Sequence, residues 1–203
     1  MGPKNLIVAI VLGIALAAGI FLSTTIREPE ELRTAFAIPT PSELPEFSLL
    51  DQSGDAVTAD TFLGHWDLVF FGFTHCPDIC PATLQILANV KTALADSGLE
   101  PLPRIVLVSV DPERDTPEIL GRYVDYFGPG NLAVTGELAE VRKLTTALGI
   151  YFEKTPAGDD NYGVDHSAAV LVIDSNARFS ALFSAPHSVE NFVHDLPIIM
   201  GAN

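Results

Sequence analysis

An apolar run that leads directly into the two cysteines of the chain constrains its fold most strongly. Residues 68–73 read LVFFGF, which has the length of a strand and no polar face. Such a run is typical of a central strand that is covered on both sides. A helical pattern follows at 81–98, where apolar residues recur at helical spacing after Pro81. The sequence therefore predicts a buried strand, a turn that carries Cys76 and Cys80, and a helix.

The same alternation of strands and helices continues along the chain. Further strands are predicted at 47–58 (as a hairpin), 105–110, 168–173 and 179–183, and further helices at 116–128, 138–149 and from Ser188 to an early end at Pro197. This order indicates a three-layer α/β domain with a mixed central sheet. The cysteine pair at a strand-to-helix turn places it in the thioredoxin-like class.

The first 26 residues predict a membrane anchor. Residues 6–22 form an apolar run of 17 residues, and Lys4 is the one charge before Arg27. A helix needs roughly 17–25 residues to span a bilayer, so this run is long enough. The early lysine favours a cytoplasmic N-terminus and an exported C-terminal domain. A small-x-small cleavage pattern occurs at 15–17, but the apolar run continues past it, which favours an uncleaved helix.

The chain is expected to divide into three parts. Residues 1–26 are the anchor, 27–45 a proline-rich linker, and 46–203 a single domain. The N-terminus is too short and too poor in arginine for an organellar transit peptide, which predicts a single-pass protein of the bacterial inner membrane, with its domain on the periplasmic or outer side. All 26 acidic and 10 of the 11 basic residues follow the apolar run, which gives that part a formal charge of −16. Nucleic acid is therefore not an expected partner.

The spacing of Cys76 and Cys80 supports two kinds of chemistry. On a helical turn, side chains four residues apart lie on one face at about 5–6 Å, so a metal ion or a disulfide could join the sulfurs. A purely structural disulfide is disfavoured, because so short a loop constrains the unfolded chain little. The helix N-terminus beside Cys80 favours its thiolate, whereas Asp78 opposes it. Metal binding and dithiol redox chemistry both remain open.

A third ligand would have to come from a histidine. Two thiolates suit Cu(I), and an added imidazole would also accommodate Cu(II). His166 lies just before the predicted strand at 168–173, at the sheet edge where the cysteine turn is expected. His75 adjoins Cys76, but sequence neighbours often point away from a shared metal, so it ranks second. Surface or structural roles are expected for His65, His187 and His194.

Three blocks of sequence together resemble the Sco/SenC family of copper chaperones. They read FGFTHCPDICP at 71–81, VDPERDTP at 110–117 and VDHS at 164–167, in the order and separation of that family. The resemblance implies a membrane-tethered thioredoxin-like domain that binds copper, as Cu(I), Cu(II) or both, through Cys76, Cys80 and His166. It also implies partners. These are cytochrome c oxidase subunit II or another copper-site acceptor, whose binuclear copper centre the family helps to assemble, and an upstream copper donor.

The second block receives no catalytic role, because a turn and a helix cap explain its residues. The main alternative to a metallochaperone is a thiol-disulfide reductase that acts on the copper-site cysteines of the same partner, with Cys76 and Cys80 as the redox pair. Common thioredoxin-type enzymes use Cys-x-x-Cys instead. A structural zinc site would need a fourth ligand beside the two cysteines and a histidine. A peroxidase would need a separate resolving cysteine, which the sequence does not contain. The copper chaperone is therefore the leading hypothesis.

Overall fold

The structure, a computed structural model, describes residues 2–3, 12–16, 31–156 and 162–201. The chain divides into two units, Met1–Glu31 and Leu32–Asn203. In the first unit, residues 12–16 are helical, and the side chains of Leu12, Ile14 and Leu16 are exposed. Among the described residues, no helix has both the length and the apolar character to cross a membrane. Most of the anchor predicted at 1–26 lies outside the described residues.

A mixed sheet of eight strands forms the centre of the second unit, and a separate two-stranded sheet accompanies it. The strands are β1 (Ala35–Glu43), β2 (Leu49–Asp51), β3 (Ala56–Val57), β4 (Asp67–Gly72), β5 (Arg104–Ser109), β6 (Leu132–Thr135), β7 (Phe152–Pro156), β8 (Tyr162–His166), β9 (Val170–Ile173) and β10 (Arg178–Phe183). The large sheet has the order β1-β10-β9-β4-β5-β6-β2-β3, and β7 pairs with β8 in the small one. Sequence patterns predicted neither the short β6 nor the β7–β8 hairpin.

Strand β4 is the central strand that the apolar run predicted. All six of its residues are buried, and it pairs parallel with β5 and antiparallel with β9. Val170, the first residue of β9, lies opposite Phe70, near the end of β4. The loop after β4 and the segment before β9 therefore meet at one edge of the sheet. This arrangement confirms the predicted thioredoxin-like α/β fold with a mixed central sheet.

Four α-helices lie within residues 31–156 and 162–201, together with a 3-10 helix at Ala59–Phe62. They are α1 (Ile79–Asp96), α2 (Pro117–Asp125), α3 (Leu138–Ala147) and α4 (Val189–Met200). Helix α1 buries the apolar side chains of Leu84, Leu87, Val90 and Leu94, which follow helical spacing. It begins at Ile79 rather than at Pro81, so Cys80 already belongs to its first turn.

Helix α4 begins as predicted but ends later. The backbone N–H of Asn191 donates to the Ser188 hydroxyl, which confirms the predicted N-cap. Pro197 was expected to end the helix, and this prediction is wrong, because the helix continues to Met200. Its end comes at Gly201, whose φ of 67° lies in the left-handed region that glycine adopts without strain. Proline removes a single N–H from the helical ladder, and the neighbouring Leu196 is fully buried, which favours continuation.

Strand β1 occupies part of the segment 27–45 that was expected to be a linker. It pairs with β10 at the edge of the sheet, and its register shifts between Ala37 and Ser42. Pro39 and Pro41 fall inside this irregular stretch, where residues without an N–H do not interrupt regular strand pairing. The prolines of this segment therefore led to the prediction of a linker where the structure has an edge strand.

A buried carboxylate fixes the start of β1. Asp195 on α4 is fully buried and accepts hydrogen bonds from the backbone N–H groups of Arg33, Thr34 and Ala35 at 2.8–2.9 Å. His194 Nδ1 lies 2.7 Å from the same carboxylate. Burial alone would raise the pKa of Asp195, but these hydrogen bonds outweigh burial and lower the pKa. The first strand is thereby joined to the last helix.

Replacement of Asp195 by asparagine is expected to lower the free energy of unfolding. The amide would turn an NH₂ group toward backbone donors, and hydrogen bonds to charged groups contribute about 1.5–3 kcal/mol each. Because the folded-state pKa is lowered, the contribution of Asp195 is present above the unfolded-state pKa and is lost as pH falls through the folded-state pKa. Urea denaturation at neutral and acidic pH measures this difference. Glu190→Gln on the exposed face of α4 is the control, and an equal loss in both variants would contradict the role of Asp195.

Candidate metal centre

The loop between β4 and α1 brings the two cysteines together. Cys76 is half-buried, whereas Cys80 is fully buried in the first turn of α1. The backbone N–H of Cys80 donates to Cys76 Sγ at a distance of 3.4 Å. An N–H at the helix N-terminus is thus directed at the sulfur of Cys76, whereas the sequence analysis expected the helix to act on Cys80.

Burial governs the ionisation of Cys80. It raises the pKa of this thiol far above the ordinary value, and the neighbouring Cys76 raises it further. The expected preference for a thiolate at Cys80 is therefore wrong for the metal-free protein. Gly72 provides the space for the sulfur, since a Cβ at this position would lie 3.0 Å from Cys80 Sγ and 2.8 Å from Phe70 Cε1. A glycine at the end of β4 lets the Cys80 side chain rest against the strand.

His166 completes the group as the last residue of β8. Its Nε2 lies 3.4 Å from Cys80 Sγ, and its Nδ1 lies 3.1 Å from the carbonyl oxygen of Ser167. A carbonyl oxygen only accepts hydrogen bonds, so Nδ1 carries the proton and Nε2 presents its lone pair to the sulfur. One ligand atom from each of Cys76, Cys80 and His166 lies within 4.8 Å of the others. The structure thus brings together all three residues that the sequence analysis selected.

The surroundings keep this imidazole neutral and oriented. The rings of Phe70 and Phe73 meet His166 edge to face, at centroid distances of 5.8 and 5.9 Å. Burial lowers the pKa of His166, although the Ser167 carbonyl and the Asp165 carboxylate act in the opposite direction. Neutral imidazole is the form that binds metals. Near neutral pH the side chain is therefore ready for coordination.

Residues 111–115, here called the bridging segment, connect the two halves of the group. At one end, Asp115 is fully buried and accepts hydrogen bonds from the Thr74 N–H at 3.1 Å, the Thr74 hydroxyl at 2.5 Å and the Ser109 hydroxyl at 2.7 Å. Thr74 lies two residues before Cys76 in the cysteine loop. Thr116 caps α2 as predicted, but the segment before it also positions the site.

The other end of the bridging segment contacts the hairpin that carries His166. Asp111 is fully buried, forms an ion pair with Arg114 and accepts a hydrogen bond from the Tyr162 hydroxyl at 2.7 Å. The sequence analysis missed these residues. The available signal was the 110–117 block itself, which contains Asp111 and Arg114 and is one of the three blocks that carry the family resemblance.

The other histidines lie outside the group. His75 is exposed, and its Nδ1 lies 3.1 Å from Thr74 Oγ1. His187 Nε2 lies 2.7 Å from the carbonyl oxygen of Ala168, His194 contacts Asp195, and His65 is exposed. Within the described residues, the Cys-Cys-His group is the one cluster of its kind that could hold a metal ion.

Comparison with known proteins identifies the family. A model of the SCO1/SenC family matches residues 37–201. The chain belongs to the SCO1/SenC family. An SCO2-like protein of Rickettsia prowazekii is 36% identical to it over 139 residues, which cover 68% of this chain and 67% of the relative.

Two solved structures of similar proteins contain copper. Arabidopsis thaliana ScoI with copper bound is 32% identical with a TM-score of 0.74, and the match covers 80% of this chain and 100% of that one. Bradyrhizobium japonicum ScoI with copper bound is 35% identical with a TM-score of 0.68, and the match covers 76% of this chain and 98% of that one. The expected resemblance to the Sco/SenC family is thereby confirmed.

In this SCO1/SenC protein the ligand set favours a transition metal that accepts sulfur and nitrogen. Two thiolates and an imidazole match the preferences of copper and zinc rather than those of magnesium or calcium. Structural zinc sites are closed by four ligands, whereas this group offers three. A metal ion held by these three side chains would therefore have a coordination position left for a further ligand.

Cys76 is expected to react with iodoacetamide much faster than Cys80 in the reduced, metal-free protein. Cys76 is half-buried, whereas Cys80 is fully buried and its raised pKa keeps it protonated until the pH exceeds the ordinary range of a thiol. Brief alkylation followed by peptide mass spectrometry measures both rates. In denaturant the two rates should become similar. Equal rates in the folded protein would contradict the burial of Cys80.

Proposed function

We propose that this protein is a copper chaperone that binds a copper ion through Cys76, Cys80 and His166. The observation that carries the proposal is the approach of His166 Nε2 to the cysteine sulfurs from a residue 86 positions away from Cys80. A structural role for the histidine alone would not require an unprotonated nitrogen directed at the Cys80 thiol, with a ligand atom of Cys76 within 4.8 Å. The copper bound by similar proteins in the SCO1/SenC family supports the choice of metal.

The site has the properties of a transfer site. Copper is the cargo, and the two thiols and the neutral imidazole supply soft and borderline ligands for Cu(I) and Cu(II). Cys76 is half-buried at the sheet edge, so an acceptor protein can approach the metal from that side. Three ligands also leave room for a ligand of the acceptor. The acceptor that we infer is subunit II of cytochrome c oxidase, with an upstream donor that loads the site.

We also propose that residues 1–26 anchor the chain in the bacterial inner membrane as a single helix. The apolar run at 6–22 supports this proposal, and the exported domain would then face the periplasmic or outer side. Such an orientation would present the copper site to the part of an oxidase subunit that lies on the same side of the membrane.

Reduced protein titrated with Cu(I) should bind a single ion, and His166→Ala should weaken binding, most strongly for Cu(II). Loss of the imidazole removes the nitrogen ligand, and an effect of about tenfold or more is expected by comparison with substitutions around known metal sites. Chelator competition measures the affinities for both ions. His75→Ala is the matched control, because that exposed imidazole lies beside Cys76 but outside the group. Unchanged affinity in His166→Ala would remove His166 from the site.

A second candidate function is reduction of the acceptor's own copper-site disulfide, which the different exposure of the two cysteines favours. The Cys76 thiolate would attack one sulfur of the acceptor disulfide, which breaks that S–S bond, releases the other acceptor sulfur as a thiolate and forms a mixed disulfide. The Cys80 thiol would then lose its proton and displace the acceptor thiol, which leaves a Cys76–Cys80 disulfide and a reduced acceptor. Cys76 is the accessible thiol and Cys80 lies buried within 4.8 Å, as an attacking and a resolving thiol require.

Single-turnover kinetics on a disulfide-bonded peptide test the reductase function. The wild-type protein should reduce the peptide faster than free dithiothreitol at equal concentration, and Cys80→Ser should stop at the mixed disulfide. A rate no better than that of the free dithiol would reject a reductase function and leave the chaperone proposal intact.

A further inference from the structure

The position of His166 is not fixed by the main sheet. The residue lies on the β7–β8 hairpin, which forms a sheet of its own. Within the described residues of this hairpin, Phe152 and Val164 are the buried side chains. Two buried side chains, Phe152 at the base and Val164 midway along the hairpin, give it little hydrophobic anchorage. Other contacts must therefore hold the imidazole beside the sulfurs.

Contacts from Tyr162 and Lys154 join the hairpin to the bridging segment. The Tyr162 hydroxyl donates to Asp111 Oδ1 at 2.7 Å, and Arg114 Nη1 donates to the Tyr162 carbonyl oxygen at 3.2 Å. The guanidinium carbon of Arg114 also lies 3.8 Å from the centroid of the Tyr162 ring. On the outer side, Lys154 forms an ion pair with Glu113 at 2.7 Å.

These contacts differ in strength. The Lys154 and Glu113 side chains are 32% and 61% exposed, and such surface ion pairs contribute little. The Asp111 side chain is fully buried and that of Arg114 is 21% exposed, so their interactions with Tyr162 are largely shielded from water. A planar guanidinium stacked on an aromatic ring is attractive, and lysine does not reproduce its geometry. Arg114 and Tyr162 therefore make the main connection.

The same short segment also holds the cysteine loop. Asp115 follows Arg114 directly and accepts hydrogen bonds from Thr74, two residues before Cys76. The bridging segment therefore contacts both halves of the site, with Asp115 on the cysteine side and Arg114 on the histidine side. A change at Arg114 or Tyr162 alters the histidine side and leaves the cysteine side connected.

We propose that Arg114 and Tyr162 are positioning residues that hold His166 beside the two sulfurs and thereby set the affinity of the site for Cu(II). The inference rests on the proposed copper function. Two thiolates from one loop satisfy Cu(I) without the hairpin, whereas Cu(II) requires the imidazole as well. The apparent affinity for an ion that needs the docked hairpin falls with the docked fraction. Loss of these contacts therefore weakens Cu(II) binding much more than Cu(I) binding.

The test uses Tyr162→Phe, which removes one hydroxyl, and Arg114→Lys, which keeps the charge and removes the planar group. Tyr151→Phe and Arg122→Lys are matched controls, because both side chains are exposed and Arg122 pairs with Glu118 on the surface of α2. Chelator competition should show Cu(II) binding about tenfold weaker in Arg114→Lys, in the range seen for residues around metal ligands. The absorption of the Cu(II)–thiolate complex should change in the same variant, and Cu(I) affinity should fall by much less than Cu(II) affinity.

A second measurement uses the metal-free protein. Val164 is buried and pairs with Lys154, so undocking of the hairpin would expose both amides to solvent. Hydrogen exchange at these two amides should be faster in both variants than in the wild type and the controls. Urea denaturation shows whether the rest of the fold is retained.

The outcomes separate the positioning role from the copper function. Cu(II) affinity and hairpin exchange equal to those of the controls overturn the positioning role, and so does a parallel loss of Cu(I) and Cu(II) binding. A wild-type protein that binds no copper overturns the proposed function and the Cu(II) part of this inference. In that case hairpin exchange alone decides whether Arg114 and Tyr162 position His166, with faster exchange in the variants supporting the role and unchanged exchange rejecting it.

Discussion

The buried carboxylate of Asp115 is the interaction on which the geometry of the site depends. Burying a charge costs several kcal/mol unless hydrogen bonds replace the lost water. Here the replacements are neutral donors from two different segments, Thr74 in the cysteine loop and Ser109 at the end of β5. Because the carboxylate needs both, the loop that leads into Cys76 is held against the sheet edge. Arg114, the residue before Asp115 in the same segment, contacts the hairpin that carries His166.

This arrangement explains why candidate ligands from two distant parts of the chain meet at one place. The parallel pairing of β4 with β5 puts the cysteine loop and the bridging segment at the same sheet edge. The antiparallel pairing of β9 with β4 brings the end of the hairpin to that edge as well. The pairing of the strands places the cysteine loop and the hairpin approximately. The polar contacts of the bridging segment then align the cysteines with His166.

Sequence patterns predicted the parts of the fold that hydrophobic periodicity determines. The buried run of β4 and the apolar face of α1, with Leu84, Leu87 and Val90, follow from local patterns and agree with the structure. Strand β1 could not be predicted from local patterns, because an edge strand tolerates prolines and its pairing partner lies far along the chain. The end of α4 could not be predicted either, since the burial of Leu196 beside Pro197 outweighs one missing hydrogen bond.

The candidate ligands could be selected from the sequence, but the residues that position them could not. Cys76, Cys80 and His166 have side chains whose chemistry is distinctive wherever they lie. Asp115 is an ordinary acidic residue in sequence, and its role depends on Thr74, which lies 41 positions earlier. The roles of Arg114 and Tyr162 likewise arise from a contact across 48 positions. Polar contacts of this kind have no sequence period, so only the folded structure shows them.

Burial also determines how the site can take up a metal. In the metal-free protein, the raised pKa of Cys80 and the lowered pKa of His166 favour an uncharged thiol and an uncharged imidazole. A neutral imidazole can remain beside the rings of Phe70 and Phe73, and a neutral thiol can remain buried, without large desolvation costs. A thiolate at Cys80 becomes favourable only when a cation compensates its charge. Uptake of a metal ion by this group would therefore release a proton from the buried cysteine.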